Sequence, residues 1–474
     1  MPVAIRIHGP LDTVILGRAI EAVIQRHESL RTSFRDVEGA PTQVVHPDPL
    51  HTSLLDEGQA QDDFGKTFQH VRDFILTPFN LEQGPLVRAR IWRIATDDHV
   101  LALPMHHIVS DGWSLGVLLR EIGAFYEAFK TDKDPLVQDL SIQYADYAAW
   151  QHAWLTTDAA EKQRTYWSGR DWDDSALDAI GEAIQHSDDV IGAAHTFRIP
   201  GELAARATVF AQQERVTPFM LLLSVFNTLL HRYTVCETIN IGTPSAGRDR
   251  QETQNLIGFF INTVVIRTTF DGAPTFRSFL QRVRQESLET FDNQQYPFEK
   301  VVETVHPDRH VGGSPLFRVM FALQNAPVPN LTFSGLELSP LNVESGTAKF
   351  ELFLEIEADS EGLRASFSYN AARFDSDFIA SMGEHYIRML DDALTNPETQ
   401  LTQLALLSPS DHDRLMSDWQ GEAVAYPETS LSDLMTDQVS RTPQAVAVSF
   451  GDESLTYAQL DVRANGLAHE LVAL

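Results

Sequence analysis

The chain alternates between stretches with an apolar residue at every second position and stretches with apolar residues three and four apart. Val3, Ile5 and Ile7 alternate with Ala4, Arg6 and His8, which predicts a strand. From about Asp12 the period changes, and Leu16, Ala19, Ile20, Val23 and Ile24 form the stripe of a helix. Residues 62–75 predict a second helix, with Phe64, Phe68, Val71 and Ile75 on one face. Val87, Ala89 and Ile91 alternate with Arg88, Arg90 and Trp92, and a turn at 96–98 leads into the apolar strand 100–103. Leu115, Leu118, Leu119, Ile122, Tyr126 and Phe129 then return to helical spacing. The second half repeats this pattern. Strands are predicted at 195–199 and 238–241, helices at 203–214 and 217–232, and the last of these is apolar nearly all round, so it should be buried. Leu352, Leu354 and Ile356 mark a half-exposed strand, and Ile379, Met382, Tyr386, Met389 and Leu390 the inner face of a helix at 376–394. Helices mixed with strands throughout predict an α/β protein with mixed sheets. A chain of 474 residues is too long for one ordinary core, so two or three domains are expected.

Between the strand 100–103 and the helix after it lies Met105-His106-His107-Ile108-Val109-Ser110-Asp111-Gly112-Trp113-Ser114. A strand-to-helix turn places side chains at the mouth of a sheet, where chemistry is often done. Histidine titrates near neutral pH, so it can take a proton in one step and return it in the next. Adjacent side chains leave an extended backbone in opposite directions, so one histidine should face a cavity and the other pack behind it. Asp111 can orient an imidazole or pair with an arginine. Gly112 allows a positive φ or a close approach to substrate, and Ser114 is a candidate helix cap. By spacing alone, this stretch reads more readily as structural than as catalytic.

Composition narrows the partners. The formal net charge of −30, from 66 acidic against 36 basic residues, argues against a nucleic-acid or anionic-membrane surface, which need a positive field. The single cysteine, Cys236, sits among apolar and strand-like neighbours and reads as a buried, inert thiol; one cysteine fits a reducing, cytoplasmic setting. No metal-ligand spacing or phosphate-binding glycine loop is present, so no metal is expected. Residues 170–190 are acidic and weakly patterned, and read as a linker and exposed face.

His106 to Gly112 resembles the HHxxxDG signature of the condensation domains of nonribosomal peptide synthetases, part of an acyltransferase superfamily that includes chloramphenicol acetyltransferase. Further segments resemble that family's motifs in order. They are Arg26-His27-Glu28-Ser29-Leu30-Arg31-Thr32-Ser33-Phe34, the 144–150 run Tyr-Ala-Asp-Tyr-Ala-Ala-Trp, and the 242–248 run Gly-Thr-Pro-Ser-Ala-Gly-Arg. Ile257 to Thr263 with Arg267, Asn293 to Glu299, and Ser314 to Phe321 complete the series. A helix with an SxAQxRLW-type motif precedes the first strand in the family and is missing here, which reads as a shortened first lobe or a fragment of a larger synthetase. Near 170–190 the family's proline- and arginine-containing run is also missing. From about Pro409 the character changes. Residues 426–431, 440–448 and 455–465 resemble the opening of an adenylation domain, without its nucleotide-binding motifs.

The resemblance implies two chloramphenicol-acetyltransferase-like lobes set as a V-shaped pseudo-dimer. The lobes would span 1–165 and 166–418, with 419–474 as linker and truncated adenylation domain. It implies amide formation between a donor aminoacyl or peptidyl thioester and the α-amine of an acceptor aminoacyl thioester. Both would ride on the phosphopantetheine of carrier proteins, with no cofactor bound directly and an adenylation domain as partner in cis. His107 would act as general base or hold the amine and steady the tetrahedral intermediate, with His106, Asp111 and Gly112 shaping the turn. Arg248, and after it Arg31, is the implied partner of Asp111. Trp113, Ser114, Asn262 and Tyr296 would line the substrate channel, and the aromatics of 144–150 would pack the two halves together. A standalone acyltransferase making an ester or amide, and a silent platform that only docks carriers, stay open as alternatives.

Overall fold

The computed structural model describes residues 1, 3–48, 55–58 (backbone only), 64–172, 191–305, 316–324, 335–341, 343, 346–359, 361–417 and 428–474. The acidic run from 173 onward and Ser314 of the late motif lie outside them. The chain forms two compact units, Met1–Leu406 and Leu407–Leu474.

The first unit holds two sheets of mixed direction. One has the spatial order Glu337–Pro340, Ala4–His8, Asp98–Ala102, Ala89–Ala95, Leu55–Gly58. Its pairs are antiparallel except the last, Leu55–Gly58 on Ala89–Ala95. One face of this sheet packs on the helices Thr13–Arg26 and Gly112–Thr131 through Ile5, Ile7, Leu101, Leu16, Ile20, Leu118 and Ile122. The other face packs on the helix Phe64–Leu76 through Val71, Ile75, Trp92 and Val100. The stripe predicted for Thr13–Arg26 is its buried face. Each such aliphatic side chain taken from water contributes about 1.5–3 kcal/mol. In Phe64–Leu76 the stripe turns slightly: Thr67 is buried with Val71 and Ile75, and Phe64 is exposed.

The second sheet runs Gly192–Pro200, Gly362–Asn370, Leu352–Asp359, Val319–Gln324, Thr238–Ser245, Asn262–Thr269. Val319–Gln324 is parallel to both its neighbours and the other pairs are antiparallel. Helices Gly201–Gln213, Pro218–Thr234, Phe276–Asp292 and Ser376–Thr395 form one core with it. Pro218–Thr234 is buried almost all round, in line with its unbroken apolar sequence. Cys236, expected to be buried, is half-buried because it follows the left-handed Val235 that ends this helix at the surface.

The first sheet takes one strand from the second half of the chain. Glu337–Pro340 lies in the second half of the chain but pairs with Ala4–His8, with Leu338 opposite Ile7. The second unit comprises helices Pro409–Ser417 and Leu431–Arg441, the antiparallel strands Val446–Phe450 and Glu453–Thr456, and the helix Tyr457–Ala473. Among the described residues, no helix is long and apolar enough to cross a membrane.

Candidate active site

The strand Asp98–Ala102 runs on through buried Leu103 and Met105, and the His106 N–H donates to the Leu86 carbonyl at 2.9 Å. A single 3₁₀ turn, His107–Val109, then redirects the chain into Gly112–Thr131. The two histidines are pinned in opposite ways. His106 Nδ1 accepts from the Ile108 N–H at 3.1 Å, so neutral His106 carries its proton on Nε2, and its ring stands edge-to-face on Phe79. His107 Nδ1 lies 2.8 Å from the Ser110 carbonyl oxygen. A carbonyl can only accept, so His107 Nδ1 carries the proton and Nε2 keeps its lone pair. The His107 ring stands edge-to-face on Phe259, with centroids 5.2 Å apart. Burial, followed by the nearby charge of Lys349, lowers the His107 pKa below the ordinary imidazole value. Burial likewise lowers that of His106. A neutral imidazole with a free acceptor nitrogen can take a proton from an incoming group.

Asp111 is the N-cap of Gly112–Thr131, and Ser114 is not: Asp111 Oδ1 accepts from the Ser114 N–H at 2.8 Å and from its hydroxyl at 2.7 Å. Aspartate is among the strongest caps, and here it sits where the first free N–H groups converge. Gly112 is the first helical residue. It lacks the positive φ that its glycine allowed for, and a Cβ there would meet nothing within 4 Å. Arg248 Nη2 donates to Asp111 Oδ1 at 3.1 Å and to the Ser114 hydroxyl at 2.8 Å, and all three residues are buried. Arg248 Nη1 donates to the carbonyls of Thr253 and Leu256, and its guanidinium lies over the Phe260 ring at 4.1 Å. Burial lowers the Arg248 pKa and the Asp111 carboxylate opposes that shift. Arg31, the second candidate for this pairing, lies elsewhere. It reaches Glu28 at 3.5 Å and the His46 carbonyl, because its 3₁₀ turn leads into the strand pair Thr32–Val37 and Ala40–Val45.

The turn also grips the chain that crosses from the second sheet. Over residues 257–260, the Ile257 N–H donates to His27 Nδ1 at 3.3 Å and its carbonyl accepts from Ser29 Oγ at 2.6 Å. Ser114 Oγ accepts from the Gly258 N–H and lies 2.9 Å from the Gly258 carbonyl. The Tyr144 hydroxyl donates to the Phe259 carbonyl at 2.8 Å, and the Phe260 N–H donates to Asp111 Oδ2 at 3.0 Å. Burial raises the Tyr144 pKa far above neutrality, so that hydroxyl stays a donor. His27 is itself held by Glu121, 2.8 Å away, in a buried pair. A bare backbone at Gly258 makes this approach possible, since a Cβ there would fall 2.2 Å from the Tyr144 ring. The residues of the 26–34 motif thus do more than join a helix to a strand. His27 and Ser29 are absent from the sequence-derived candidates although they lie in the family-like 26–34 segment, because nothing local reports their bonds to Ile257.

The four channel candidates separate. Trp113 is partly exposed and donates through Nε1 to the Gln254 carbonyl at 2.9 Å. Ser114 is fully buried in the Asp111–Arg248 network and faces no channel. Tyr296 packs in a core with Trp167 and Phe317, drawn in by its large apolar ring. Asn262 uses all its hydrogen-bonding capacity: Nδ2 donates to the Gln294 and Tyr296 carbonyls, and Oδ1 accepts from the Thr263 and Phe298 N–H groups. Asn262 and Phe259 also contribute to the wall of a cavity of about 240 Å³.

The site thus joins a histidine-bearing turn at the end of one mixed sheet to residues 257–260, which lead into the other, and the first sheet is closed by a strand from the second half of the chain. The chain belongs to the condensation-domain family, whose model matches residues 1–416. It is 38% identical to a linear gramicidin synthase of Brevibacillus parabrevis over 99% of its length, and spans 9% of that protein. The X-domain from teicoplanin biosynthesis superposes with a TM-score of 0.74 at 22% identity, over 86% of this chain and 93% of that one. A four-domain nonribosomal peptide synthetase bound to AMP and glycine superposes with a TM-score of 0.76 at 21% identity, over 100% of this chain and 37% of that one.

Proposed function

We propose that this chain joins a donor aminoacyl or peptidyl thioester to the α-amine of an acceptor aminoacyl thioester, both delivered on the phosphopantetheine of carrier proteins. The observation that carries this reading is the state of His107. Its Nδ1–H is committed to the Ser110 carbonyl, its Nε2 has no hydrogen-bond partner among the described residues, and its pKa is held down. An α-ammonium group has a pKa of about 8, so it must lose a proton before or during attack. The amine lone pair forms the new C–N bond at the thioester carbon, and the proton passes to His107 Nε2. The tetrahedral intermediate then expels the sulfur, which takes that proton from His107 and leaves as the thiol. His107 can equally hold the amine in line and steady the intermediate. His106, Asp111 and Gly112 shape the turn, and Arg248 neutralises Asp111.

In this reading residues 1–165 and 166–418 are the two lobes of a V, with one carrier at each end. Residues 419–474 are the opening of an adenylation domain. The separate compact unit from Leu407, together with the likeness to a multidomain synthetase along the full chain, supports that placement.

The test is dipeptidyl-thioester formation by this chain from one donor-loaded and one acceptor-loaded carrier, followed by intact mass. His107→Ala should slow product formation by about a hundred- to ten-thousandfold. Equal rates would remove His107 from the chemistry. Activity on free coenzyme A thioesters without carriers would point to a standalone acyltransferase, and carrier binding without any product to a docking platform.

A further inference from the structure

The helix Tyr144–Trp154 has no fully buried residue, although it carries four large rings on one side. Tyr144, Tyr147, Trp150 and Trp154 form a ladder with neighbouring centroids 6.1, 5.6 and 6.3 Å apart. Rings that served only as packing between the two halves would be covered; these are half-open. Tyr144, Tyr147 and Trp150 wall the cavity of about 240 Å³, and Phe259 and Phe260 close its inner side. Tyr147 meets Phe260 at 4.7 Å with planes tilted by 54°. Arg250 lies over the Trp150 ring at 4.1 Å and, with Asp249 and Glu299, forms an exposed, charge-mixed rim.

The volume decides the size of an occupant. It is far more than the roughly 10–15 Å³ that a water needs, and below the roughly 300–1,000 Å³ of sites that enclose a whole drug-sized ligand. One large side chain fits that range. The lining is mixed: Gln151, Thr253, Asn262, Gln294 and Gln295 bring polar groups, while Tyr147, Trp150 and Phe260 offer ring faces and edges that can accept a further ring about 4.5–7 Å away. The position links it to the reaction: Phe259 is both a cavity wall and the ring against which His107 stands.

We propose that this cavity receives the side chain of one of the two aminoacyl groups and selects a large aromatic side chain over a small one. The inference rests on the peptide-forming reading above.

Two measurements test it. The first is the ratio of kcat/KM for phenylalanyl over glycyl substrates, with phenylalanine placed on the donor carrier and then on the acceptor carrier. In one of the two placements Trp150→Ala should lower this ratio by about tenfold or more. Trp154→Ala, in the same ladder but off the cavity, should leave the ratio as it is. A ratio unchanged by Trp150→Ala in both placements overturns the proposal, as does an equal fall in Trp154→Ala. Loss of folded protein cancels in such a ratio. The second is calorimetric binding of phenylalanyl and glycyl N-acetylcysteamine thioesters to the full chain, which needs no turnover. Tighter phenylalanyl binding that Trp150→Ala removes supports the pocket even if the wild type makes no dipeptide, and in that case only the reaction reading fails. Equal affinities overturn the pocket.

Discussion

At the scale of single residues, the site divides between a histidine left free to act and a buried ion pair that holds it in place. His107 must be neutral to accept a proton. Burial and the Lys349 charge both disfavour the imidazolium form, so activity should persist below the ordinary imidazole midpoint. Lys349→Met removes one of those influences, so the pKa rises and the acid limb of the pH–rate profile should move to higher pH; an unmoved limb would separate Lys349 from His107. Asp111 and Arg248 behave differently, because a buried charge stripped of its partner is expensive. Asp111→Asn should cost about 3–5 kcal/mol in denaturant unfolding, and the Asp111→Asn, Arg248→Met double variant less than the sum of its parts. Part of this is legible in sequence because it is local: a histidine pair and a helical stripe lie within a few positions of one another, whereas the cap falls on Asp111 and not on Ser114. Ser114 misleads for the same reason. Its hydroxyl matches the nearest helix end, whereas its partners are Asp111, Arg248 and Gly258, the last two far along the chain.

At the scale of elements, the central device is a stretch of irregular backbone held by side chains from the other half. The bonds to residues 257–260 span sequence separations of 115 to 230 residues. No periodicity reports such contacts, which is why the 257–263 motif can be picked out in the sequence while the side chains that hold it stay hidden. Tyr144→Phe deletes one hydrogen bond and should cost about 0.5–1.5 kcal/mol. Gly258→Ala should cost more, since its Cβ meets a ring whose own hydroxyl is tied to the next residue. Thermal unfolding of both variants gives the order, and a milder Gly258→Ala would show that the close approach is dispensable. The aromatic helix is the converse case. The 144–150 motif reads its rings as packing, and their half-open placement beside a cavity points to another use.

At the scale of the whole molecule, the two compact units make a direct prediction. Deletion of residues 407–474 should leave the main calorimetric unfolding transition of the first unit at its original temperature, and a large shift would show that the units share stability. Within the first unit the reverse holds, because its sheets are not separable pieces. The edge of Ala4–His8 is closed by Glu337–Pro340, roughly 330 residues later. Chains are made at about 5–20 residues per second, so on a ribosome the first sheet waits on the order of tens of seconds for its last strand. Through that interval Ala4–His8 offers unpaired N–H and C=O groups along an exposed edge, the kind of template that invites pairing with another nascent chain. Slower synthesis of the second half, or a shortage of chaperones, should therefore lower the yield of soluble protein without changing the stability of the finished fold.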